Sequence, residues 1–321
     1  MKIVILGAGG RLGAALVREF RRKYDVADFN HAQLDLSDLD TMKAKLRAIN
    51  FDVLINAAAF TNVDLCETEK DRAFLINSEA PGVLAELCNA KDAKLIHFST
   101  DYVFDGKKRS PYTEEDKANP ISIYGESKLA GEKNVLAADE RHLVVRVSWV
   151  FGPDRPSFID AMIKRAQQNE KIDAIADKFS TPTYTQDIAE MLMRFFPSAA
   201  VAGADDPGRA AVHSVTGYGT GITGPGYSTA DCSGILHFSN AGKCSWQEYA
   251  QWALDCCREA GVPIKAITVG ACKLEDMTNW IARRPVYSVL STAKYTELTG
   301  TAPRAWRRAV ADYITRFYSK T

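Results

Sequence analysis

The chain has 321 residues, enough for two domains or for one large domain carrying a lobe. Lys and Arg together number 40, as do Asp and Glu, so the formal net charge is zero, which argues against a nucleic-acid or membrane-surface role. No apolar run approaches the roughly 20 residues that span a bilayer, and seven scattered cysteines with no C-x-x-C pair read as reduced thiols of a cytoplasmic protein.

The first apolar strand is expected over residues 2–6, a run too short for a signal peptide. It leads into Gly7-Ala8-Gly9-Gly10-Arg11-Leu12-Gly13 and a helix predicted over 11–23. Gly7, Gly10 and Gly13 follow G-x-x-G-x-x-G. Strand, glycine turn and helix N-terminus make an anion-binding device: bare backbone N–H groups and the helix dipole face a pyrophosphate that side chains would obstruct. The alternative is a tight strand-to-helix turn with no ligand, but its place at the first strand of an α/β chain favours a dinucleotide. A second strand, near 25–29, carries Asp28 about where an adenosine ribose would lie. A carboxylate there bonds a free 2′-hydroxyl and repels a 2′-phosphate, favouring NADH. Arg11 pulls the other way, because it could pair with that phosphate in NADPH. Asp35 and Leu36, after a short loop, would cover the adenine.

A helix over 39–49 and a strand over 53–56 follow, the strand ending in Ala57-Ala58-Ala59-Phe60-Thr61. Small residues at the carboxyl end of a strand let a cofactor backbone pass close by. Asn77 falls in a long helix continuing towards residue 88, where it either satisfies local backbone or borders the site. Residues 94–100 read as a buried strand ending in Ser99, Thr100 and then Asp101; His97 within it reads as packing rather than as a metal ligand. Pro120 and Gly125 flank Tyr124 where an extended loop turns into a helix, and Lys128 follows one turn later on the same face. A strand over 143–149 places Trp149 at the carboxyl edge, as core or as a substrate-facing aromatic. Strand–helix alternation to residue 150 predicts an α/β fold, a doubly wound parallel sheet of the Rossmann type covered on both faces.

Beyond residue 150 the pattern loosens into a smaller C-terminal α/β substrate lobe over 151–321, with a segment near 170–196 returning to the first domain. A helix over 158–168, a strand at 172–175, Ser180-Thr181-Pro182-Thr183-Tyr184-Thr185 and a helix to 196 come first. Residues 197–234 are rich in Gly, Ala, Ser and Thr and read as a mobile insertion. A strand at 235–240 resumes order. The next helix has Ser245 at its N-cap and Glu248 at N3, and the last runs over 306–318.

Thr100 at a strand end and Tyr124 with Lys128 opening a later helix form a proton-delivery apparatus. A phenol with a pKa of about 10 is a poor acid at pH 7; a nearby ammonium and a positive nicotinamide favour phenolate and pull that pKa down. Hydride delivered to a carbonyl carbon, with Tyr124 protonating the oxygen and Thr100 holding it, is the natural reaction.

Here the chain resembles the extended short-chain dehydrogenase/reductase superfamily and, more closely, the dTDP-4-dehydrorhamnose reductase family. The resemblance spans nearly everything outside 197–234. It is carried by GAGGRLG at 7–13, INAAAFTNVDLCE at 55–67, FSTDYVFDG at 98–106, YGESKLAGE at 124–132, RVSWVFG at 146–152 and STPTYTQDIA at 180–189. It implies reduction of a nucleotide-linked 4-keto sugar by NADPH, with NADH possible. It implies a catalytic set of Thr100, Tyr124 and Lys128, with Asp101, Tyr102 and Trp149 at the deoxysugar. Gly10, Arg11, Leu12, Asp28, Asp35, Leu36, Ala59, Phe60 and Thr61 would line the dinucleotide. The family's late basic motif reads here Arg283-Arg284-Pro285-Val286-Tyr287-Ser288, whose arginines, Arg284 above all, would clamp the nucleotide diphosphate. Some family members form a magnesium-bridged dimer through carboxylates including one on the first helix. Ala14-Ala15 in that region leaves no such bridge expected, and the protein is read as a monomer or homodimer without metal. Three rivals share the ancestry. A 4,6-dehydratase needs an Asp-Glu pair after the threonine, where this chain has Asp101-Tyr102. An epimerase would hold NAD tightly through purification. A non-catalytic regulatory subunit like the methionine adenosyltransferase β subunit would not need to retain Thr100, Tyr124 and Lys128 together.

Overall fold

The computed structural model describes residues 1–196 and 232–319. The expected insertion at 197–234 lies, as far as residue 231, outside the described residues. In the first half, β1 (Lys2–Leu6), α1 (Arg11–Phe20), β2 (Asp25–Phe29), α2 (Leu39–Arg47), β3 (Val53–Asn56), α3 (Val63–Thr68), α4 (Lys70–Phe74), α5 (Ala80–Ala90), β4 (Lys94–Thr100), α6 (Ile123–Ala138) and β5 (Leu143–Val147) follow one another. Then come β6 (Val150–Phe151), α7 (Phe158–Gln168), β7 (Ile172–Ile175), β8 (Phe179–Ser180), β9 (Thr183–Tyr184) and α8 (Thr185–Met193). Past the undescribed segment lie β10 (Gly234–Phe238), β11 (Cys244–Ser245), α9 (Trp246–Glu259), β12 (Val269–Cys272), α10 (Ala293–Thr299) and α11 (Trp306–Phe317). Among the described residues no helix is long and apolar enough to cross a membrane.

Six parallel strands form the central sheet in the order β10-β5-β4-β3-β1-β2. Successive side chains of a strand point to opposite faces, and here both faces are apolar. Ile3 and Ile5 join Leu16, Phe20, Ile188, Leu192 and Phe238 on one face, while Val4 and Leu6 join Met42, Leu84, Leu95 and Val144 on the other. That double burial is why the strands read as continuous apolar runs. From β1 the chain moves outward to β2 and then crosses back to β3, so the order reverses beside β1. In such sheets the crevice outside the carboxyl ends at the reversal is where ligands bind.

Three departures from the sequence reading follow from local chemistry or long-range pairing. The helix expected around Asn77 is α4 and α5 joined by a π turn, Leu75–Glu79. Pro81 lacks the N–H that would bond the Asn77 carbonyl, so regular α pairing fails at that point. The strand expected to reach Trp149 stops at Val147, and Trp149 takes a positive φ of 44°. The sixth strand, β10, pairs with β5 from Gly234↔Leu143 to Phe238↔Val147. It starts one residue before the expected 235, and it extends the first domain's sheet with residues assigned to the lobe.

In the lobe, α7, α9 and α11 enclose Phe151, Ile159, Tyr184, Tyr249, Trp306 and Val310. The capping box at α9 forms as its residues predict: Glu248 N donates to Ser245 Oγ (3.1 Å) and Ser245 N to Glu248 Oε2 (2.7 Å).

Candidate active site

The glycine turn is shaped by backbone contacts that leave no room for side chains. Gly7 leaves β1 at a φ of 79°, and its N–H and that of Ala8 both donate to Phe29 O. A Cβ on Gly7 would stand 2.7 Å from Ala58 N, and one on Gly13 would stand 2.1 Å from Gly7 O. A Cβ on Gly10, in contrast, would meet Gly7 O at 3.2 Å and otherwise face open space. Gly10 is also the N-cap of α1 and supplies no side-chain cap, so the first-turn N–H groups are left for an anion. The site fits a pyrophosphate on that ground. At the end of β3, Asn77 holds both backbone groups of Phe60, accepting from its N–H (2.8 Å) and donating to its carbonyl (3.0 Å). Ala59 and Phe60 are half-buried and Thr61 is exposed.

Other residues expected at the dinucleotide are engaged elsewhere. Arg11 donates to the carbonyls of Val150 (3.3 Å), Arg155 (3.1 Å) and Pro156, which ties the start of α1 to the segment leading into the lobe. Asp28 pairs with Arg21. Leu36 packs into the sheet core beside Met42, and Leu12 packs against the opposite face. Asp35 accepts the Ser37 N–H at 2.9 Å.

Helix α6 seats Tyr124 and Lys128 by touching backbone. The Ser122 hydroxyl caps it by accepting from Gly125 N (3.3 Å). A Cβ on Gly125 would lie 2.3 Å from Tyr102 O, and one on Gly131 would lie 2.1 Å from Asn77 O. This seat sets Tyr124 edge-on to Tyr102, with centroids 5.8 Å apart, and brings its phenol near Thr100. Burial pushes the Tyr124 phenol above its ordinary value, the Thr100 hydrogen bond pulls it down, and Asp101 adds to the rise. Tyr124 is therefore a neutral phenol that carries its proton. Lys128 is buried, donates to Phe98 O (2.7 Å), and stands 3.2 Å from His97 Nε2. Burial lowers its ammonium to about 8, opposed by Glu132. Among the described residues its hydrogen bonds run to β4 and not to Tyr124. His97, read from sequence as packing, thus reaches Lys128, and Asn56 of β3 stands in register behind it. The available signal was two polar side chains in otherwise apolar neighbouring strands.

Asp101 is a wall of the site. Its Oδ2 accepts from Ser148 (3.0 Å), Ser180 (3.1 Å) and Ser288 (2.5 Å), and its Oδ1 from Thr100 (3.2 Å). It joins β4, the β5 end, β8 and the late loop, and burial raises its carboxyl above the usual range. Trp149 stacks on Trp246 (5.1 Å) and meets Tyr249 edge-on (4.7 Å). Arg284 grips Asp64 of α3 with two bonds of 3.1 and 2.7 Å and lies 3.9 Å over the Trp280 ring. Lys178, which nothing in the sequence reading singled out, is 1 % exposed. Its Nζ lies 5.2 Å from the Tyr102 ring and 5.9 Å from that of Trp246, with Asp101 and Arg284 as charged neighbours. Burial lowers it to about 8, against the pull of Asp101. Directly after Asp177 it looks like half of an ordinary surface charge pair; a lysine two positions before Ser180 was the clue. Among the described residues no cluster of three or more His, Cys, Asp or Glu is placed to hold a metal ion.

Comparison with known proteins agrees with this geometry. The family model described as the RmlD substrate binding domain matches residues 1–216 and 222–319. The dTDP-4-dehydrorhamnose reductase of Mycolicibacterium smegmatis is 36% identical over 98% of this chain and 85% of its own. The spore coat polysaccharide biosynthesis protein SpsK of Bacillus subtilis is 32% identical over 98% of this chain and 96% of its own. The crystal structure of dTDP-4-dehydrorhamnose reductase from Bacillus anthracis in complex with NADP superposes with a TM-score of 0.82 at 28% identity, covering 98% of this chain and 99% of that one. Paired with a glycine turn at the sheet's reversal point and a Thr–Tyr–Lys set beside it, these matches place the chain in the dTDP-4-dehydrorhamnose reductase family.

Proposed function

We propose that the protein reduces the 4-keto group of dTDP-4-dehydro-L-rhamnose to give dTDP-L-rhamnose, with NADPH as the reductant. The single observation that carries this reading is the convergence of Thr100 and the protonated Tyr124 phenol at the carboxyl edge of the sheet, beside an uncapped, glycine-edged helix N-terminus. The α1 N-terminus and Gly10 would hold the pyrophosphate, and Ala59, Phe60 and Thr61 would border the nicotinamide half. Bound NADPH supplies a hydride for the carbonyl carbon. Tyr124 gives its proton to the carbonyl oxygen, Thr100 holds that oxygen by hydrogen bonding, and Lys128 carries the phenol's electrostatic neighbourhood. Tyr102, Trp149 and Lys178 would wall the sugar, while Arg284 would face the diphosphate. We place the protein in the cytoplasm as a monomer or homodimer.

The test is a spectrophotometric assay of cofactor oxidation against a panel of dTDP-4-keto-sugars, run with NADPH and with NADH. Turnover of dTDP-4-dehydro-L-rhamnose with NADPH supports the reading. Absence of turnover on every keto-sugar, or NAD carried tightly through purification, would favour an epimerase or a regulatory subunit.

A further inference from the structure

Lys178 is 1% exposed, yet among the described residues its ammonium makes no hydrogen bond and no ion pair. A buried ammonium brings three donors and a charge, and leaving all of them unanswered is costly. Lys128, equally buried, shows the usual arrangement and donates to Phe98 O at 2.7 Å. Asp101 acts on Lys178 through space, but its oxygens are already filled by neutral donors: Oδ2 takes the hydroxyls of Ser148, Ser180 and Ser288, and Oδ1 that of Thr100. The little surface Lys178 keeps is at Nζ, which is not sealed off as the ring nitrogens of His237 are. Nζ reaches the Tyr102 ring at 5.2 Å and the Trp246 ring of the lobe at 5.9 Å. Arg284 is a second cation acting on the same place, fixed over Trp280, which packs on Trp246 at 5.7 Å. Two like charges in one crevice repel, and an anion between them removes the conflict.

We propose that Lys178 is the ligand for the sugar-proximal phosphate of a nucleoside diphosphate sugar, the substrate supplying the anion that the buried ammonium lacks. This rests on the reading of the crevice as a site for a nucleotide-linked 4-keto sugar. In a pyranose, C1 carries the diphosphate and stands across the ring from C4. Tyr124, the donor to the C4 oxygen, meets Tyr102 edge-on at 5.8 Å, and Tyr102 is the nearer of the two rings to Nζ. The order Tyr124, Tyr102, Lys178, Arg284 therefore runs from the reacting carbon towards the diphosphate. Arg284 is held by its two bonds to Asp64 (3.1 and 2.7 Å), whereas Lys178 has all its donors to give and meets a phosphate as a point charge. Burial lowers Lys178 to about 8, opposed by Asp101, so at pH 7 it is mostly an ammonium, and a bound phosphate favours that form further. A sugar hydroxyl would answer one donor and leave the charge uncompensated; a phosphate answers both.

The experiment is isothermal titration calorimetry of the full-length chain at pH 7 with NADP⁺ present, using dTDP and dTMP as probes. In the wild type the second phosphate should tighten binding at least about tenfold; equal affinities for dTDP and dTMP overturn the proposal, and this arm needs no variant to fold. Lys178→Met, checked for folding by circular dichroism, should lose about tenfold or more in dTDP affinity while its dTMP and NADPH affinities stay near wild type. Unchanged dTDP affinity in folded Lys178→Met overturns the proposal, and so does an equal loss for dTMP and dTDP, which would show a charge felt at a distance instead of a phosphate contact. Wild-type protein that binds none of dTDP, UDP and GDP removes the nucleotide-sugar reading and the proposal with it. The expected dTDP results without turnover on any keto-sugar would remove the reduction and leave the phosphate assignment standing.

Discussion

Tyr124, Lys128 and Glu132 lie along one face of α6, and Glu132 is what locks that face to the sheet. Its carboxylate takes two bonds from the Arg146 guanidinium and one from Ser99, with the side chains 2% and 3% exposed. Arg146 NH1 already has no partner among the described residues, and the guanidinium lies 5.1 Å over Phe104. Glu132→Ala would leave a buried cation with no counter-charge, which costs about 3–5 kcal/mol. The lost buried methylene adds about 0.8 kcal/mol and raises the loss to about 4–6 kcal/mol. Against a typical total of about 5–15 kcal/mol that is a large fraction. In thermal unfolding followed by circular dichroism, the midpoint should drop by about 10 °C or more. The double variant Glu132→Met/Arg146→Met removes both charges at similar volume and should recover to within about 2 kcal/mol of the wild type. A single variant costing under about 1 kcal/mol, or a double variant as unstable as the single, would refute the argument that an unpaired charge, not lost packing, sets the cost.

Tyr124→Phe should lower kcat by about 10²–10⁴ in the cofactor-oxidation assay while KM and the thermal midpoint stay near wild type; a small loss of rate would remove the acid. Gly13→Ala drives a Cβ to 2.1 Å from Gly7 O, so α1 must shift; NADPH affinity by fluorescence titration should fall at least about tenfold, and unchanged affinity would sink the pyrophosphate assignment. Lys178→Met exchanges a buried amine for an apolar chain of similar length. It should raise substrate KM about tenfold with cofactor affinity kept; an unchanged KM would take Lys178 out of the substrate site. Asp64 is held below its usual range chiefly by the Arg284 hydrogen bond. A depressed folded-state pKa means its contribution is present above the unfolded value and lost as pH falls through the folded one. Asp64→Asn should therefore be less stable than wild type at pH 7, with the gap closing below about pH 4; a gap independent of pH would contradict the ion-pair account.

Much of the architecture was written in local signals. An apolar run followed by Gly7, Gly10 and Gly13 announced β1, its turn and α1, because those glycines answer to contacts within the turn and the adjoining strand. Strand–helix alternation announced the parallel sheet, and Ser245 with Glu248 announced the start of α9, since a capping box closes within four residues. Thr100, Tyr124 and Lys128 were singled out together through spacing and family resemblance. Asn77 and Phe60 met as backbone and amide, one of the two roles open to it.

What sequence alone determined, then, is the order of elements and the stock of reactive groups, both governed by interactions a few residues long. Tertiary structure decided which groups share a space. Register between β3 and β4 brought Asn56 to His97 and so to Lys128. Edge pairing carried residues 234–238 back to β5, and a loop closed over 220 positions gave Arg284 to Asp64. Close packing put Lys178 over two aromatic rings that lie far apart in the chain. Such pairings depend on burial and on the satisfaction of distant polar partners, and those energies exist once the chain has folded onto itself.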